Sequence, residues 1–261
     1  MFEVISEIEP ATRPDLTRVR HQVGVLAPVT DAFLIPDNHL GRATVSSVAV
    51  AHEVASMGVR SIACLNSRDR NRLGFRRDLL TAAAYGVDRF LCVFGDTPAS
   101  GGRANDLNVR GMIEEIRTFG SSETFDDFGP FRVGVTSRLA PLPAWKGESD
   151  FLFVQASFDL GNLLRWRESI DYGGKVYAGI IVVASAVMAK DLAAATNQID
   201  MPDKLLEDLD SDRDAGVDFA CTLMGEIRDS GAFDGVHLIS VGRYRSVAAR
   251  LERDGWRRPR R

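Results

Sequence analysis

Several apolar runs of this chain end in polar residues of a kind that can do chemistry. They close on Glu7-Ile8-Glu9-Pro10, on Thr30-Asp31, on Asn66-Ser67, on Phe94-Gly95-Asp96-Thr97-Pro98 and on Gln155. A lone aspartate beside a glycine and a proline serves a turn well, because its carboxylate bonds the neighbouring backbone. Carboxylates and amides brought to one rim can do more. One carboxyl group can deliver a proton while a second, in a different environment, balances the positive charge that forms. Whether these groups share a rim depends on the elements that carry them.

The apolar runs read as buried strands at residues 2–8, 22–29, 59–65, 89–94, 131–136, 151–156, 175–183 and 235–241. Helical patterns fall between them, at 41–57, 74–85, 105–119, 160–171, 185–195, 203–229 and 243–253. In the first of these, Val45, Val48, Ala49, His52 and Ala55 recur at helical steps, and Gly58 follows as a stop. Eight strands, most of them followed by a helix, in 261 residues fit one (β/α)8 barrel, an α/β fold spanning residues 1–261. A doubly wound sheet is the competitor, but no G-x-G-x-x-G follows any of the strands. The last residues, 257–261, read as a flexible basic tail. In such a barrel the C-terminal strand ends form one face, which brings the polar groups together.

Composition narrows the function classes. A net charge of −4 gives no global attraction to nucleic acid or to an acidic membrane. No apolar run approaches the ~20 residues of a membrane span. The start, MFEVISEIEP, lacks the basic and apolar regions of a signal peptide, so a cytoplasmic location is expected. Cys64, Cys92 and Cys221 show no metal spacing, and neither do the histidines at 21, 39, 52 and 237, so no metal is expected. Homo-oligomerisation is compatible with all of this.

Along nearly its full length the chain resembles the methylenetetrahydrofolate reductase family. The resemblance is carried by Glu9-Pro10, Val29-Thr30-Asp31, the run from Leu65 to Arg72, Phe94-Gly95-Asp96-Thr97-Pro98, and Phe153-Val154-Gln155-Ala156-Ser157-Phe158-Asp159. It implies reduction of 5,10-methylenetetrahydrofolate to 5-methyltetrahydrofolate. Glu9 would then donate the proton that opens the ring at N10, and Asp96 would support the pterin and the cationic intermediate. Gln155, Asn66, Thr30, Asp31 and Phe158 would contact the reduced folate. Lys204 and Leu206 would join them from the segment MPDKLLEDLD, which resembles the one that packs over the pterin. Ser67, Arg68, Thr136 and Ser137 would meet the nicotinamide nucleotide, with Arg70 and Arg72 as further candidates for its phosphates.

The departures bear on the cofactor. Members that hold FAD carry His-Leu-Thr-Cys at the end of strand 3, where this chain reads Cys64-Leu65-Asn66-Ser67. They also carry an aromatic residue and a histidine after strand 5, then a helix, for which the segment from Thr136 to Phe151 leaves little room. The chain is therefore closer to the flavin-independent branch, in which NADH or NADPH gives hydride directly and FAD is not expected. Two alternatives stand beside that reading: the same reaction through bound FAD, and a barrel that binds reduced folate without turning it over.

Overall fold

The computed structural model of the chain describes residues 2–97, 101–195 and 201–258. Eight parallel strands close into a barrel in sequence order: β1 (Glu3–Glu7), β2 (Ala32–Ile35), β3 (Arg60–Asn66), β4 (Arg89–Val93), β5 (Arg132–Ser137), β6 (Phe151–Ala156), β7 (Lys175–Ile181) and β8 (Gly235–Ile239). Closure comes from β8 lying against β1, with Val4 opposite Val236. Around the barrel run α1 (Thr17–Leu26), α2 (Ser47–Ser56), α3 (Arg72–Ala84), α4 (Val109–Thr118), α5 (Leu160–Glu168), α6 (Ala186–Ala195), α7 (Asp203–Ser211), α8 (Ala215–Ser230) and α9 (Tyr244–Arg253). Between β5 and β6 stands a short 3-10 turn, Ala144–Glu148, in place of a helix. The fold is a (β/α)8 barrel.

Three sequence expectations are corrected. Residues 22–29 are not a strand. Val19, Gln22, Val23 and Leu26 bury one face of α1 at helical steps, and the second strand lies further on, at Ala32–Ile35. The single helix expected over 203–229 is two, because the Asp212 carboxylate accepts the Asp214 N–H at 2.8 Å and turns the chain between α7 and α8. The buried residues of α2 are Ser47, Val48, Val50, Ala51 and Val54, whereas His52 is exposed and stacks on Tyr85. Of the expected flexible basic tail, 257–261, Arg258 donates to the Gly58 carbonyl and its N–H bonds the Pro28 carbonyl; residues 259–261 lie outside the described residues. No helix among the described residues is long and apolar enough to cross a membrane.

Side chains pointing into the barrel form layers. Ile5, Leu34, Ile62, Leu91, Phe151, Phe153 and Tyr177 fill the middle with apolar surface. Beneath them Glu3 takes hydrogen bonds from the Tyr177 hydroxyl at 2.6 Å, Lys175 at 2.7 Å and Arg60 at 3.0 Å. The barrel is thus plugged below, and a cavity opens at the strand C-termini.

Burial alone would push the Glu3 carboxyl up, but the bonds from Lys175, Tyr177 and Arg60 outweigh it and hold it at about 2, against an ordinary 4.5. A depression of that size is worth ~3 kcal/mol. The folded-state value lies below the unfolded one, so this stabilisation is complete above about pH 4.5 and is lost as pH falls through about 2. Glu3→Gln should lower stability at neutral pH and flatten the acid limb of a stability-against-pH curve from urea melts. Parallel acid limbs for the two proteins would show that Glu3 is not the source of acid sensitivity.

Candidate active site

Strand alternation decides which acid of the first strand reaches the mouth. Ile5 belongs to the barrel interior, whereas Val4 and Ile8 pack outward under the helices. Glu7 shares the parity of Ile5 and lines a cavity of about 820 Å³ at the C-terminal face. After Glu7 the chain leaves the barrel. Glu9, read from the sequence as the proton donor, pairs with Arg18 of α1, and its N–H bonds the Gln22 side chain at 3.0 Å. It is not among the residues that line the mouth.

Glu7 has a fixed partner. Its carboxylate lies 3.1 Å from Nε2 of His237, which projects inward from β8. The His237 ring stacks on Phe153 at 4.9 Å and 11°, and Phe153 is buried, so the imidazole has little freedom to turn. Beside them, Gln155 reaches the same cavity from an irregular stretch of β6. There three steps along β6, from Phe153 to Ala156, match only two along β7, from Tyr177 to Gly179, so β6 carries a bulge of one residue. Gly179 allows it: a Cβ there would lie 2.3 Å from the Val154 carbonyl oxygen and 2.7 Å from the Ala156 nitrogen.

The side of the mouth formed by β2, β3 and β4 is acidic and tied together. Asp37, just past β2, lines the cavity, and its nearly solvent-free carboxylate accepts the Asn66 N–H at 3.0 Å and the Asn66 amide at 2.6 Å. Arg70 pairs with it and also bonds Asp78 at 2.8 Å. Burial pushes the Arg70 guanidinium down, but Asp37 and Asp78 outweigh that and raise it. Asn38 donates to Asp69 at 3.0 Å, and Asp96 accepts the Leu40 N–H at 2.7 Å. Gly95, at φ +94°, turns β4 so that Asp96 stands at the rim, in a conformation only glycine takes easily. Pro98 lies outside the described residues.

The neighbouring side, after β5, is cationic. Thr136, Ser137, Arg138 and Lys146 line it, and the Lys146 ammonium donates to the Thr136 carbonyl at 2.9 Å. Burial, and after it the Arg138 charge, hold Lys146 below the ordinary lysine range. Neither cation has an ion-pair partner among the described residues. Phe94 adds a half-exposed ring to the lining, with Arg103 over one face.

Of the residues expected from the sequence, the fold gathers Asp96, Gln155, Thr136 and Ser137 around the cavity. Thr30 and Asp31 are displaced because they precede β2. They sit at the N-terminal end of the barrel, where Asp31 accepts the Val4 N–H and Thr30 bonds Ser6. Asn66 acts one step back, by holding Asp37. Ser67 and Arg68 are buried behind the mouth, Arg68 against Asp69. Arg70 and Arg72 are taken by acids, Arg72 by Glu115. Phe158 and Leu206 pack in a satellite core with Val183 and Leu205, and Lys204 pairs along α7 with Asp208. Glu7, Asp37, Arg138, Lys146 and His237 complete the site. Counting inward positions from Ile5 would have found Glu7, but nothing local marks His237. Burial pushes the Cys64 thiol well up, reinforced by the Glu7 and Asp37 charges, so this lining cysteine is an inert thiol. No cluster of three or more metal-ligating side chains occurs among the described residues.

The class is therefore a plugged (β/α)8 barrel with a polar mouth. No protein-family model matches the chain, and no curated protein sequence does. Solved structures do. A protein from Clostridium thermocellum that binds two copies of 5-methyl-5,6,7,8-tetrahydrofolic acid matches with a TM-score of 0.64 at 11% identity, over 97% of this chain and 94% of that one. EDTA monooxygenase from Chelativorans sp. BNC1 matches at 0.56 and 10%, over 98% and 95% of the two chains. A GH18 chitinase from Pseudoalteromonas aurantia matches at 0.50 and 10%, over 96% and 99%. At these identities the likeness shows the fold alone.

The bulge in β6 gives a test of how the site is held. Gly179→Ala forces a methyl group against backbone atoms and should destabilise the protein by about 1–3 kcal/mol in thermal melts. It should also displace Gln155. Gly225→Ala on α8, where a Cβ meets nothing within 4 Å, should instead be neutral or stabilising. Equal melting temperatures for Gly179→Ala and the parent would mean that the bulge relaxes without cost.

Proposed function

We propose that the mouth reduces 5,10-methylenetetrahydrofolate to 5-methyltetrahydrofolate, taking hydride directly from NADH or NADPH. The observation that carries this reading is the meeting, around one cavity of about 820 Å³, of an inward acid backed by a histidine, a bulge-borne glutamine and further carboxylates. That volume lies towards the top of the ~300–1,000 Å³ usual for small-molecule sites. It suits a pterin stacked against a nicotinamide.

Hydride adds only to an electrophilic carbon. The bridging methylene becomes one when its bond to N10 breaks, which requires a proton at N10. In this reading Glu7 gives it, with His237 behind it to hold the carboxyl group and to pass on a replacement proton. Breaking that bond leaves an iminium cation. Asp37, fixed by Arg70 and Asn66, and Asp96 at the rim offer negative charge to it without having to reorganise. The amide of Gln155 can both donate to and accept from a pterin edge. Arg138 and Lys146 would hold the anionic part of the dinucleotide, which supplies the hydride when bound.

The flavin-dependent alternative finds less support. The stretch Ser137-Arg138-Leu139-Ala140-Pro141-Leu142-Pro143 carries no aromatic residue or histidine, and Cys64 stands where FAD-binding members have histidine. A pure binder, for its part, has no use for a histidine-backed acid. The direct test incubates the purified protein with methylenetetrahydrofolate and each reduced nicotinamide nucleotide and looks for 5-methyltetrahydrofolate. No methyl product with either nucleotide would sink the reading. A stoichiometric flavin spectrum in the purified protein would shift it to the FAD form.

Glu7→Gln should lower turnover by roughly 10²–10⁴, the worth of a positioned acid. Glu9→Gln should leave it within about twofold, because Glu9 serves an exposed ion pair of small value. The reverse order of effects, with circular dichroism showing both variants folded, would return the proton to Glu9.

Lys146 sets an alkaline limit. Its depressed pKa means that the free enzyme loses this charge at lower pH than an ordinary lysine would. The KM for the nucleotide should therefore climb early on the alkaline side. In Lys146→Arg, whose guanidinium keeps its charge, the climb should disappear. Parallel KM profiles for the two proteins would remove Lys146 from nucleotide binding.

A further inference from the structure

The mouth does not end at Gln155. A second cavity of about 510 Å³ adjoins it, and Ala140, Pro141, Gln155 and Ala156 line both. We infer that this second cavity receives the aminobenzoyl-glutamate tail of the substrate and that Arg165 binds the tail's carboxylate; the inference rests on the reading of the mouth as a reduced-folate site.

The chemistry of the lining changes along the path in the order such a ligand needs. Gln155, common to both cavities, offers the hydrogen bonds a pterin edge requires. Beyond it, Leu139, Pro141 and Trp166 present apolar surface suited to a flat ring, and the indole N–H of Trp166 is already bonded to the Ala140 carbonyl at 2.9 Å. At the far side stands Arg165, exposed on α5. Its side chain runs back towards the first turn of the helix, where one Nη donates to the side-chain oxygen of Asn162. The other Nη would lie 3.2 Å from a Cβ at position 161, so the glycine there leaves the guanidinium room.

Arg165 differs from the arginines of the acidic side. Arg68 pairs with Asp69, Arg70 with Asp37 and Asp78, and Arg72 and Arg76 with Glu115. The bond seen for Arg165 goes to a neutral amide, and no ion pair involves it among the described residues. Asp159, at the head of α5, uses its carboxylate to cap the Asn162 N–H at 3.2 Å, and Glu168, the acid nearest Arg165 in sequence, forms no ion pair with it among the described residues. A guanidinium fork held in place by a neutral group, at the end of an apolar trough, is matched by a carboxylate. Arg138 and Lys146 lie on the mouth side, where they are left for the dinucleotide.

The test measures dissociation constants by calorimetry for 5-methyltetrahydrofolate and for tailless 6-methyltetrahydropterin, on the parent protein, Arg165→Gln and Arg138→Gln. Arg165→Gln should weaken the glutamate-bearing ligand roughly tenfold, as loss of a charge-assisted hydrogen bond does. The tailless ligand should bind the parent and Arg165→Gln equally. A loss confined to Arg138→Gln would place the carboxylate in the mouth and overturn the inference, as would an equal loss for both ligands in Arg165→Gln. If the parent binds neither ligand, the folate reading itself falls. Tight binding of the tailless pterin with no effect of Arg165 would overturn the tail assignment alone.

Discussion

A buried carboxylate sets the terms for the mouth of this barrel. Asp37 is almost wholly out of solvent, and a charge there persists only if its oxygens are bonded. Asn66 supplies a backbone and a side-chain N–H, and Arg70 supplies the countercharge. Arg70 is itself largely withdrawn from solvent, and a second acid, Asp78, meets it from the first turns of α3. Satisfying one carboxylate thereby pins the end of β2 to the end of β3 and to the helix behind it. The bonds from Asn38 to Asp69 and from Leu40 to Asp96 extend the tie to β4. The acidic side is consequently preorganised, which is the condition under which fixed charge is worth most to a forming cation.

Against this rigid side stands a cationic one built differently. A helix between β5 and β6 would pack on the outside of the barrel, as the other helices do. The chain instead turns through Pro141 and Pro143 into a short 3-10 stretch, and the connection stays over the mouth. This places Arg138 and Lys146 on the cavity wall, near enough for one charge to bear on the other. Mutual repulsion of this kind is relieved by an anionic ligand. The polarity of the mouth, acids at β1 to β4 and cations after β5, then orients any ligand that has a proton-accepting end and an anionic end.

Much of this was legible in the sequence, and the failures have physical causes. Seven strands stand out because both their faces are covered, which leaves near-continuous apolar runs. The run at 22–29 looks alike, but its apolar residues fall on one face of α1, and four residues were too few for β2 to declare itself. That slip carried Thr30 and Asp31 to the wrong end of the barrel. The family resemblance points to Glu9 through the proline that follows it, whereas strand parity, readable from Ile5 onward, points Glu7 into the mouth. His237 could not be found at all: its importance lies in meeting Glu7 across the β1–β8 seam, more than two hundred residues away in sequence.

The fold itself leaves chemistry open, since barrels of this shape include a monooxygenase, a chitinase and a folate binder at about one residue in ten identical. What discriminates is the content of the inward layers. The lower layers are closed by Glu3 with Lys175, Arg60 and Tyr177, and by the aromatic packing above them, so no ligand passes through. The mouth lies above these layers, and Glu7, Gln155 and His237 reach it from three different strands. Phe153 links the two regimes: its ring belongs to the apolar plug, and its face fixes the imidazole that holds Glu7. The rigidity of the core is thereby transmitted to the one acid whose position the proposed chemistry requires.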